Sequence, residues 1–352
     1  MKFGISLLPD CRPEQTSPNR YYQDVLEVSR LADELGFDYV KMTEHYLKDY
    51  GGYCPSPLTF LTAVAAQTRQ IRLMTGGVQA SFHHPVQLAA HAAMVDAISS
   101  GRLDVGFARA WLPYEFDALG VPLDESRERF TATVEAVLRL WTQKEASEDT
   151  PFFRYQNAHS LPAVTQNPHP PVWVAAVRSR QSFAWIGEKG FGLLIASPPR
   201  KGELPHMQDM LRVYIETHQE YHPDRQPRIA LSIPLMVADS DAEAYATAEP
   251  LLQSYLDVWG EAAASWDGVQ SSAYPGYSNA GTTFRSLTKQ DLRSTSTAVI
   301  GSPDTVAEKI HELTDALTLD TLLLQIDYGS PSAAVMSRNL RMFHSEVLPR
   351  LG

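Results

Sequence analysis

The stretch that decides the fold is residues 38–109, which contains DYVKMTEH (38–45), IRLMTGG (71–77) and SGRLDVGFAR (100–109). Each segment is a short apolar run that ends in charged or glycine-rich sequence, and helical sequence lies between the segments. Strands with such tips, repeated around a ring, are how a parallel β/α barrel assembles a site on one face. The three segments therefore predict consecutive barrel strands with functional side chains at their carboxyl ends.

The same alternation continues along the rest of the chain. Short β-branched or apolar runs recur, and helical patterns separate most of them. Such alternation favours a parallel sheet, and eight units favour a closed TIM (β/α)8 barrel with insertions, an α/β fold. The eight candidate strands are residues 2–8, 38–43, 71–78, 103–108, 171–176, 191–196, 229–237 and 321–327.

Apolar periodicity predicts three of the helices, and two of them also carry a start or stop signal. Apolar residues recur every three or four positions from Tyr21 to Leu35, and Gly36 then predicts the end of this helix. Residues 124–142 repeat the apolar pattern. Ser302-Pro303 is typical of a helix start, with serine as the N-cap and proline in the first turn.

One stretch, residues 258–298, shows little periodicity. Long irregular segments in compact domains are usually functional lids or disordered loops. We therefore expect a single barrel domain over residues 1–352 with an insertion at about 258–298, which either covers the site or is a disordered surface loop. The alanine-rich helical stretches 56–69 and 86–100 suit either the barrel wall or a subunit interface, and a homodimer is expected.

Composition excludes several classes of protein. The chain has 352 residues, 44% hydrophobic and 20% charged, which is ordinary for a globular protein. A net charge of −11 argues against binding nucleic acid or an anionic membrane. The only two cysteines, Cys11 and Cys54, argue against a disulfide scaffold and against a thiolate metal site. Without a run of about 18 apolar residues or a signal peptide, we expect a cytoplasmic protein with no membrane span.

Several strand ends carry residues suited to chemistry. His45 follows a strand, and an imidazole with a pKa of about 6.5 suits proton transfer, although a strand-end histidine can equally be structural. Gly76 and Gly77 allow a backbone to press against a flat ligand, or they form an ordinary turn. Arg109 can bind an anion or form a structural salt bridge.

Residues 171–182, PVWVAAVRSRQS, predict a strand, a tight turn and the start of a helix. A helix start presents unpaired N–H groups and a positive dipole end, which favour a phosphate. Serine hydroxyls and an arginine add donors suited to a monophosphate. The candidate anion-binding residues are Ala176, Val177, Arg178, Ser179 and Ser182.

The order and spacing of these motifs resemble the bacterial-luciferase-like family of flavin-dependent monooxygenases, over residues 1 to about 200 and again over 298–350. The resemblance implies a protein that binds reduced FMN (FMNH2), forms a flavin peroxide with O2 and oxygenates a small organic substrate. It implies that His45 faces the flavin and assists the oxygen chemistry. Gly76 and Gly77 would lie under the isoalloxazine ring and share a non-prolyl cis bond, while Arg109 and the turn at 176–182 would hold the phosphate.

Two alternatives stay open. The same fold also serves enzymes that use the deazaflavin F420 for hydride transfer, and related barrels bind flavin without catalysis. The chain has no GxGxxG fingerprint, so reduced flavin is expected to come from a separate flavin reductase. Substrate identity cannot be read from the chain, although four aromatic residues are candidates either for lining an apolar pocket or for packing. They are Trp111, Tyr114, Tyr274 and Tyr277.

Overall fold

The structure, a computed structural model, describes residues 1–195, 198–199, 202–281, 291 and 298–352. Short apolar runs form strands, and the longer amphipathic segments between them form helices. In chain order the strands are β1 (Lys2–Leu7), β2 (Tyr39–Met42), β3 (Arg72–Thr75), β4 (Val78–Gln79), β5 (Leu103–Ala108), β6 (Ala146–Asp149), β7 (Arg154–Ala158), β8 (Val172–Ala176), β9 (Gly192–Ile195), β10 (Ile229–Val237), β11 (Val299–Gly301) and β12 (Thr321–Gln325).

Eight of these strands close into a parallel barrel. The hydrogen-bonded order is β1, β2, β3, β5, β8, β9, β10 and β12, and β12 pairs again with β1. The predicted TIM barrel is therefore confirmed. The two-residue strand β4 adds to β5, β11 adds to β10, and β6 and β7 form a separate antiparallel hairpin.

The helices with described bounds surround the barrel. In chain order they are α1 (Pro18–Glu34), α2 (Pro57–Gln67), α3 (Pro85–Ile98), α4 (Pro113–Leu119), α5 (Ser126–Thr142), α6 (Arg180–Glu188), α7 (Leu204–Tyr221), α8 (Asp241–Ala263), α9 (Pro303–Leu317) and α10 (Ala333–Met342). None of the helices that the structure describes is both long enough and apolar enough to cross a membrane.

The helix signals in the sequence are confirmed. Ser302 caps α9, and its hydroxyl accepts the N–H of Thr305, with Pro303 in the first turn. Helix α1 ends before Gly36, which has a φ of +79°, a conformation that glycine adopts without strain. The predicted helix 124–142 is α5 preceded by one short 3₁₀ turn.

Some predicted boundaries differ from the structure. The expected strand 71–78 is split into β3 and β4, because the chain leaves the barrel wall at Gly76 and Gly77. The irregular insertion does not begin at 258, since residues 258–263 are the last turns of α8. Of the rest of that insertion, residues 282–290 and 292–297 lie outside the described residues, as does residue 196 of the predicted strand 191–196.

Two successive layers of side chains fill the barrel interior in different ways. One buried layer, called the plug here, consists of Tyr39, Met74, Trp173, Leu194, Ala230 and Leu323. Because side chains on a strand alternate between its two faces, the residues two positions further along face the same interior. This second layer, called the floor, consists of Ser6, Lys41, Gly76, Gly106, Ala175, Ser232 and Gln325. Its small and polar side chains do not fill the barrel, so a cavity opens above the plug.

Candidate functional site

A cavity of about 1180 Å³ lies at the carboxyl ends of the barrel strands. Ligand sites usually occupy about 300–1,000 Å³, so this cavity has room for more than one small molecule. All of the site residues predicted from the sequence line it: His45, Gly76, Gly77, Arg109, Ala176, Val177, Arg178, Ser179 and Ser182. Sequence positions up to 137 residues apart therefore meet around one opening.

One side of the cavity is rich in hydrogen-bond donors. Ser179 caps α6, and its hydroxyl accepts the N–H of Ser182 at 3.4 Å. Arg127 reaches both hydroxyls from α5, with Nη2 3.1 Å from Ser179 Oγ and Nη1 3.2 Å from Ser182 Oγ. A helix start with a guanidinium and two hydroxyls is a suitable set of ligands for a phosphate.

Two arginines at this place lack a carboxylate partner among the described residues. Arg109 stacks on Tyr274, with its guanidinium carbon 3.9 Å from the ring centroid. The Nη1 of Arg109 is buried and has no hydrogen-bond partner in the described part of the structure. In the described part of the chain neither Arg109 nor Arg127 forms an ion pair with a carboxylate. Burial, together with the charge of Arg109, lowers the pKa of Arg127 from its usual value. Two neighbouring cations and an unsatisfied donor fit a dianionic group such as a monophosphate.

Arg178 is placed differently from the other two arginines. Its Nη2 lies 2.6 Å from Glu203 Oε1, and about half of its side chain is exposed. Its charge is thus already matched by a carboxylate at the edge of the cavity. The sequence marked Arg178 and missed Arg127, because nothing in the pattern of α5 distinguishes Arg127 from the other charged residues of that helix.

The predicted cis bond between Gly76 and Gly77 is wrong. This peptide is trans, and the cis bonds in the described residues precede Pro162 and Pro168. A non-prolyl cis bond is disfavoured by about 2.5–4 kcal/mol, so it persists only where the surroundings impose it. The glycines instead allow close packing. A Cβ on Gly76 would overlap Lys41 Cε, and one on Gly77 would lie 2.6 Å from the carbonyl carbon of Phe107.

His45 is held by a buried carboxylate. Its Nδ1 lies 3.1 Å from Oε1 of Glu115, which is completely buried and also accepts the N–H of Tyr46 at 2.8 Å. A carboxylate on Nδ1 favours the tautomer in which Nδ1 carries the proton, which leaves Nε2 as the acceptor nitrogen. Gln79 Nε2 donates to the Glu44 carbonyl at 2.7 Å and to Glu115 Oε1 at 3.4 Å, so it helps to hold the same carboxylate. The arrangement suits a proton transfer at Nε2.

Glu44, the neighbour of His45, has a structural set of partners. Its Oε1 lies 2.7 Å from Nε2 of His83 and accepts the hydroxyl of Tyr46, and its Oε2 accepts the N–H of Gln79 at 3.2 Å. Glu44 therefore ties together the loops that follow β2 and β4. It fixes the position from which His45 reaches the cavity.

Aromatic side chains form the outer wall of the cavity. Three of the four aromatic candidates line it, namely Trp111, Tyr274 and Tyr277. The fourth, Tyr114, packs under the Lys48 ammonium, 4.3 Å from its ring centroid, and is absent from the described cavity lining. Tyr50 and Trp259, which the sequence did not mark, add a stacked pair with centroids 6.1 Å apart.

Candidate metal-binding side chains were compared over the part of the chain that the structure describes. Both cysteines are buried and unpaired. Among the residues that the structure describes, no group of three or more histidine, cysteine, aspartate or glutamate side chains is arranged to hold a metal ion.

Comparison with known proteins gives consistent matches over most of the chain. A family model described as luciferase-like monooxygenase matches residues 1–320. The oxygenase component of flavin-dependent trigonelline monooxygenase from Acinetobacter baylyi is 27% identical over 263 residues, which are 74% of this chain and 72% of that protein. The crystal structure of monooxygenase RslO1 from Streptomyces bottropensis is 34% identical, with a TM-score of 0.86 and full coverage of both chains.

More distant structures show the same fold with two different cofactors. The oxygenating constituent of 3,6-diketocamphane monooxygenase from Pseudomonas putida, in complex with FMN, has a TM-score of 0.79 at 19% identity, covering 100% of this chain and 99% of that one. A coenzyme F420-dependent tetrahydromethanopterin reductase from Methanopyrus kandleri has a TM-score of 0.71 at 20% identity, with the same coverage. At these identities the likeness concerns the fold, and the cofactor has to be argued from the site.

Proposed function

This chain belongs to the luciferase-like monooxygenase family, and from that premise we propose that it binds reduced FMN and uses O2 to oxygenate a small organic substrate. The family and the relatives named as monooxygenases support the coarser statement, an oxidoreductase with a general flavin monooxygenase role. The proposal goes beyond this statement in two respects: it names reduced FMN as the cofactor and a small organic molecule as the substrate.

The observation that carries the proposal is a pair of arginines beside the capped start of α6 that, within the described ranges, have no carboxylate partner. Arg109 and Arg127, with the hydroxyls of Ser179 and Ser182, form a site for one phosphate at the rim of the cavity. The backbone at Ala176 and Val177 leads into the same turn. FMN ends in a single phosphate and carries a planar ring of the size that the remaining cavity accepts.

The other residues orient the ring and control water and protons. Gly76 and Gly77 lie beside the barrel wall, and the aromatic outer wall, which includes Trp111 and Tyr274, would limit the access of water to a bound ring. The bound reduced flavin would supply the activation of O2. His45, held by Glu115, would accept or return a proton at Nε2.

Several further features stay proposals. The trigonelline relative is named as an oxygenase component, which supports a separate flavin reductase as the source of reduced flavin. We also propose that the whole chain acts as one barrel domain and that it forms a homodimer. The expected location in the cytoplasm stays a prediction.

The test is FMN binding, followed by oxygen consumption. Arg127→Ala should weaken FMN binding by about 10–100-fold, since it removes charged hydrogen bonds worth about 1.5–3 kcal/mol, and fluorescence titration measures the dissociation constant. The control is Arg129→Ala, two residues along the same helix. Arg129 pairs with Glu125 and faces Phe152 outside the cavity, so FMN binding should stay unchanged.

Oxygen uptake separates FMN from F420. Reduced FMN bound to the protein should consume O2 and reduced F420 should not, because the deazaflavin lacks reactivity toward O2. The proposal is wrong if the wild-type protein binds F420 and not FMN, or if Arg127→Ala and Arg129→Ala bind FMN equally well.

A further inference from the structure

Lys41 is a buried cation that the function described so far does not use. It lies on β2 in the floor of the cavity and is 5% exposed. Its Nζ donates to Ser6 Oγ at 3.0 Å and to Ser232 Oγ at 2.9 Å. An ammonium has three N–H donors, and no carboxylate contacts this one in the described part of the chain. The buried carboxylate of Asp327 acts on this ammonium only at a distance. A buried charge whose direct contacts are two hydroxyls is costly, so its presence in a cavity indicates a partner that arrives with a ligand.

The residues around Lys41 extend the same donor surface. Gln325 lies on β12 beside Ser6 in the sheet register, lines the cavity, and has a buried Nε2 with no hydrogen-bond partner among the described residues. Gly76 leaves the space that the Lys41 side chain occupies, because a Cβ there would overlap Lys41 Cε. The floor thus presents an ammonium and an amide N–H to whatever enters the cavity.

The cavity is polar at its floor and aromatic at its outer wall. The donors of the floor come from Lys41 and Gln325, and the aromatic wall comes from Tyr50, Trp111, Trp259, Tyr274 and Tyr277. A flavin ring has the same asymmetry, with an apolar dimethylbenzene edge and a pyrimidine edge that carries N1, two carbonyl oxygens and N3. A flavin whose pyrimidine edge met the floor would find donors there, and its dimethylbenzene edge would face the aromatic wall.

We propose that Lys41 is the positive charge that meets the pyrimidine edge of the bound flavin and makes the protein bind reduced FMN more tightly than oxidised FMN. This inference rests on the proposed function. Reduction places a negative charge over N1 and the adjacent carbonyl once N1 loses its proton, while the phosphate charge is the same in both redox states. A charge near N1 is one of the ways in which a protein adjusts the electronics of a flavin. Lys41 acts on the cofactor, and Gln325 supplies a neutral donor next to it.

The experiment compares the dissociation constants of oxidised FMN, in air, and reduced FMN, without oxygen. Lys41→Met keeps an unbranched side chain of similar length and removes the charge. It should raise the dissociation constant of reduced FMN by about 10–100-fold and leave that of oxidised FMN nearly unchanged. Because a tenfold change for a two-electron couple corresponds to about 30 mV, the midpoint potential of bound FMN should fall by about 30–60 mV.

Two controls make the result specific. Arg127→Ala should weaken both redox states by the same factor and leave their ratio unchanged, because the phosphate does not change charge on reduction. Lys309→Met removes a lysine that binds the Ile300 carbonyl and the Tyr245 hydroxyl outside the cavity, and it should change neither constant. Lys41→Gln, a polar and uncharged variant, should reproduce the effect of Lys41→Met.

The outcomes separate this inference from the proposed function. If the ratio of the two constants is the same in wild type, Lys41→Met and Lys41→Gln, the inference is wrong. It is also wrong if these variants leave the ratio unchanged and instead weaken binding of 4-nitrophenol, used as a phenolate probe, since Lys41 would then face the substrate. If the wild-type protein binds neither form of FMN, the proposed function itself fails.

Discussion

Most residues of the plug are followed, two positions further along the chain and about 7 Å away, by a residue of the floor. In the plug, Tyr39, Met74 and Trp173 fill the interior, and the layer is almost free of exposure. In the floor, the corresponding residues are Lys41, Gly76 and Ala175, which leave a cavity and bury a charge. The difference shows that one layer of the barrel maintains stability while the next gives up stability to form a site.

The largest expected effect lies in the plug. Trp173 is 1% exposed, and its indole N–H donates to Asp104 Oδ2 at 2.8 Å. Trp173→Ala should lower the free energy of unfolding by about 3–5 kcal/mol, because it leaves a large void and an unpaired carboxylate oxygen. Urea denaturation followed by circular dichroism measures the loss. Trp111→Ala, at the partly exposed wall of the cavity, should cost much less, and equal losses at the two positions would contradict the division into plug and site.

The second effect is an increase in stability, expected when the buried charge of Lys41 in the floor is removed. Burial lowers the pKa of Lys41 from 10.5 to about 8, and the charge of Asp327 opposes this only in part. A pKa difference of one corresponds to about 1.4 kcal/mol, so keeping the ammonium charged destabilises the fold by up to about 3 kcal/mol. Lys41→Met should therefore increase the free energy of unfolding by up to that amount at pH 7, measured by urea denaturation. A loss of stability would show that Lys41 is structural.

The difference in the free energy of unfolding between the wild-type protein and Lys41→Met should depend on pH. Between about pH 8 and 10.5 the unfolded chain binds the Lys41 proton and the folded chain does not, so the folded state gains stability relative to Lys41→Met as the pH rises. The advantage of Lys41→Met should be complete below about pH 8 and should disappear near pH 10.5. Burial raises the pKa of Asp327 to about 6, and Asp10 beside it also titrates above its usual range. Asp327 therefore stays ionised throughout this window.

The sequence predicted the barrel well because the fold depends on signals that are local and repeated. Each strand is a short apolar run, and caps such as Ser302 act within three or four residues. The strand, the turn and the serine-capped helix of residues 171–182 were also predicted, since these three elements are consecutive in the chain. The trans bond at Gly76 was missed, because the sequence alone cannot tell a glycine that permits a strained peptide from one that makes room for a neighbour.

The residues that sequence reasoning missed act across long separations in the chain. Arg127 and Ser182 are 55 positions apart, and His45 and Glu115 are 70 apart. Lys41 resembled an ordinary charged residue within a strand, and only the closed barrel shows that its side chain points inward. Its partners Ser6 and Ser232 lie on β1 and β10. A contact between elements that are distant in sequence leaves no local pattern, so the chemistry of the floor required the three-dimensional structure.

The smallest effect distinguishes two adjacent glycines at the boundary between the layers. A methyl group on Gly77 would press against the backbone of Phe107 and Ala108, which cannot move easily, so Gly77→Ala should cost about 1–3 kcal/mol. A methyl group on Gly76 meets side-chain atoms instead, namely the end of Lys41 and, at 2.9 Å, Lys41 Cγ and Thr43 Oγ1. Side chains shift more easily than backbone, so Gly76→Ala should cost about 1 kcal/mol, less than Gly77→Ala.

Although Gly76→Ala changes stability little, it should displace the Lys41 ammonium and reduce the preference for reduced FMN in the same direction as Lys41→Met. In the Lys41→Met background it should change that preference no further, because the charge is already absent. Anaerobic FMN titrations of the two single variants and the double variant measure this coupling. Additive effects of the two substitutions would mean that Gly76 contacts the ring independently of Lys41, and the floor would then bind the flavin by its shape and not through its charge.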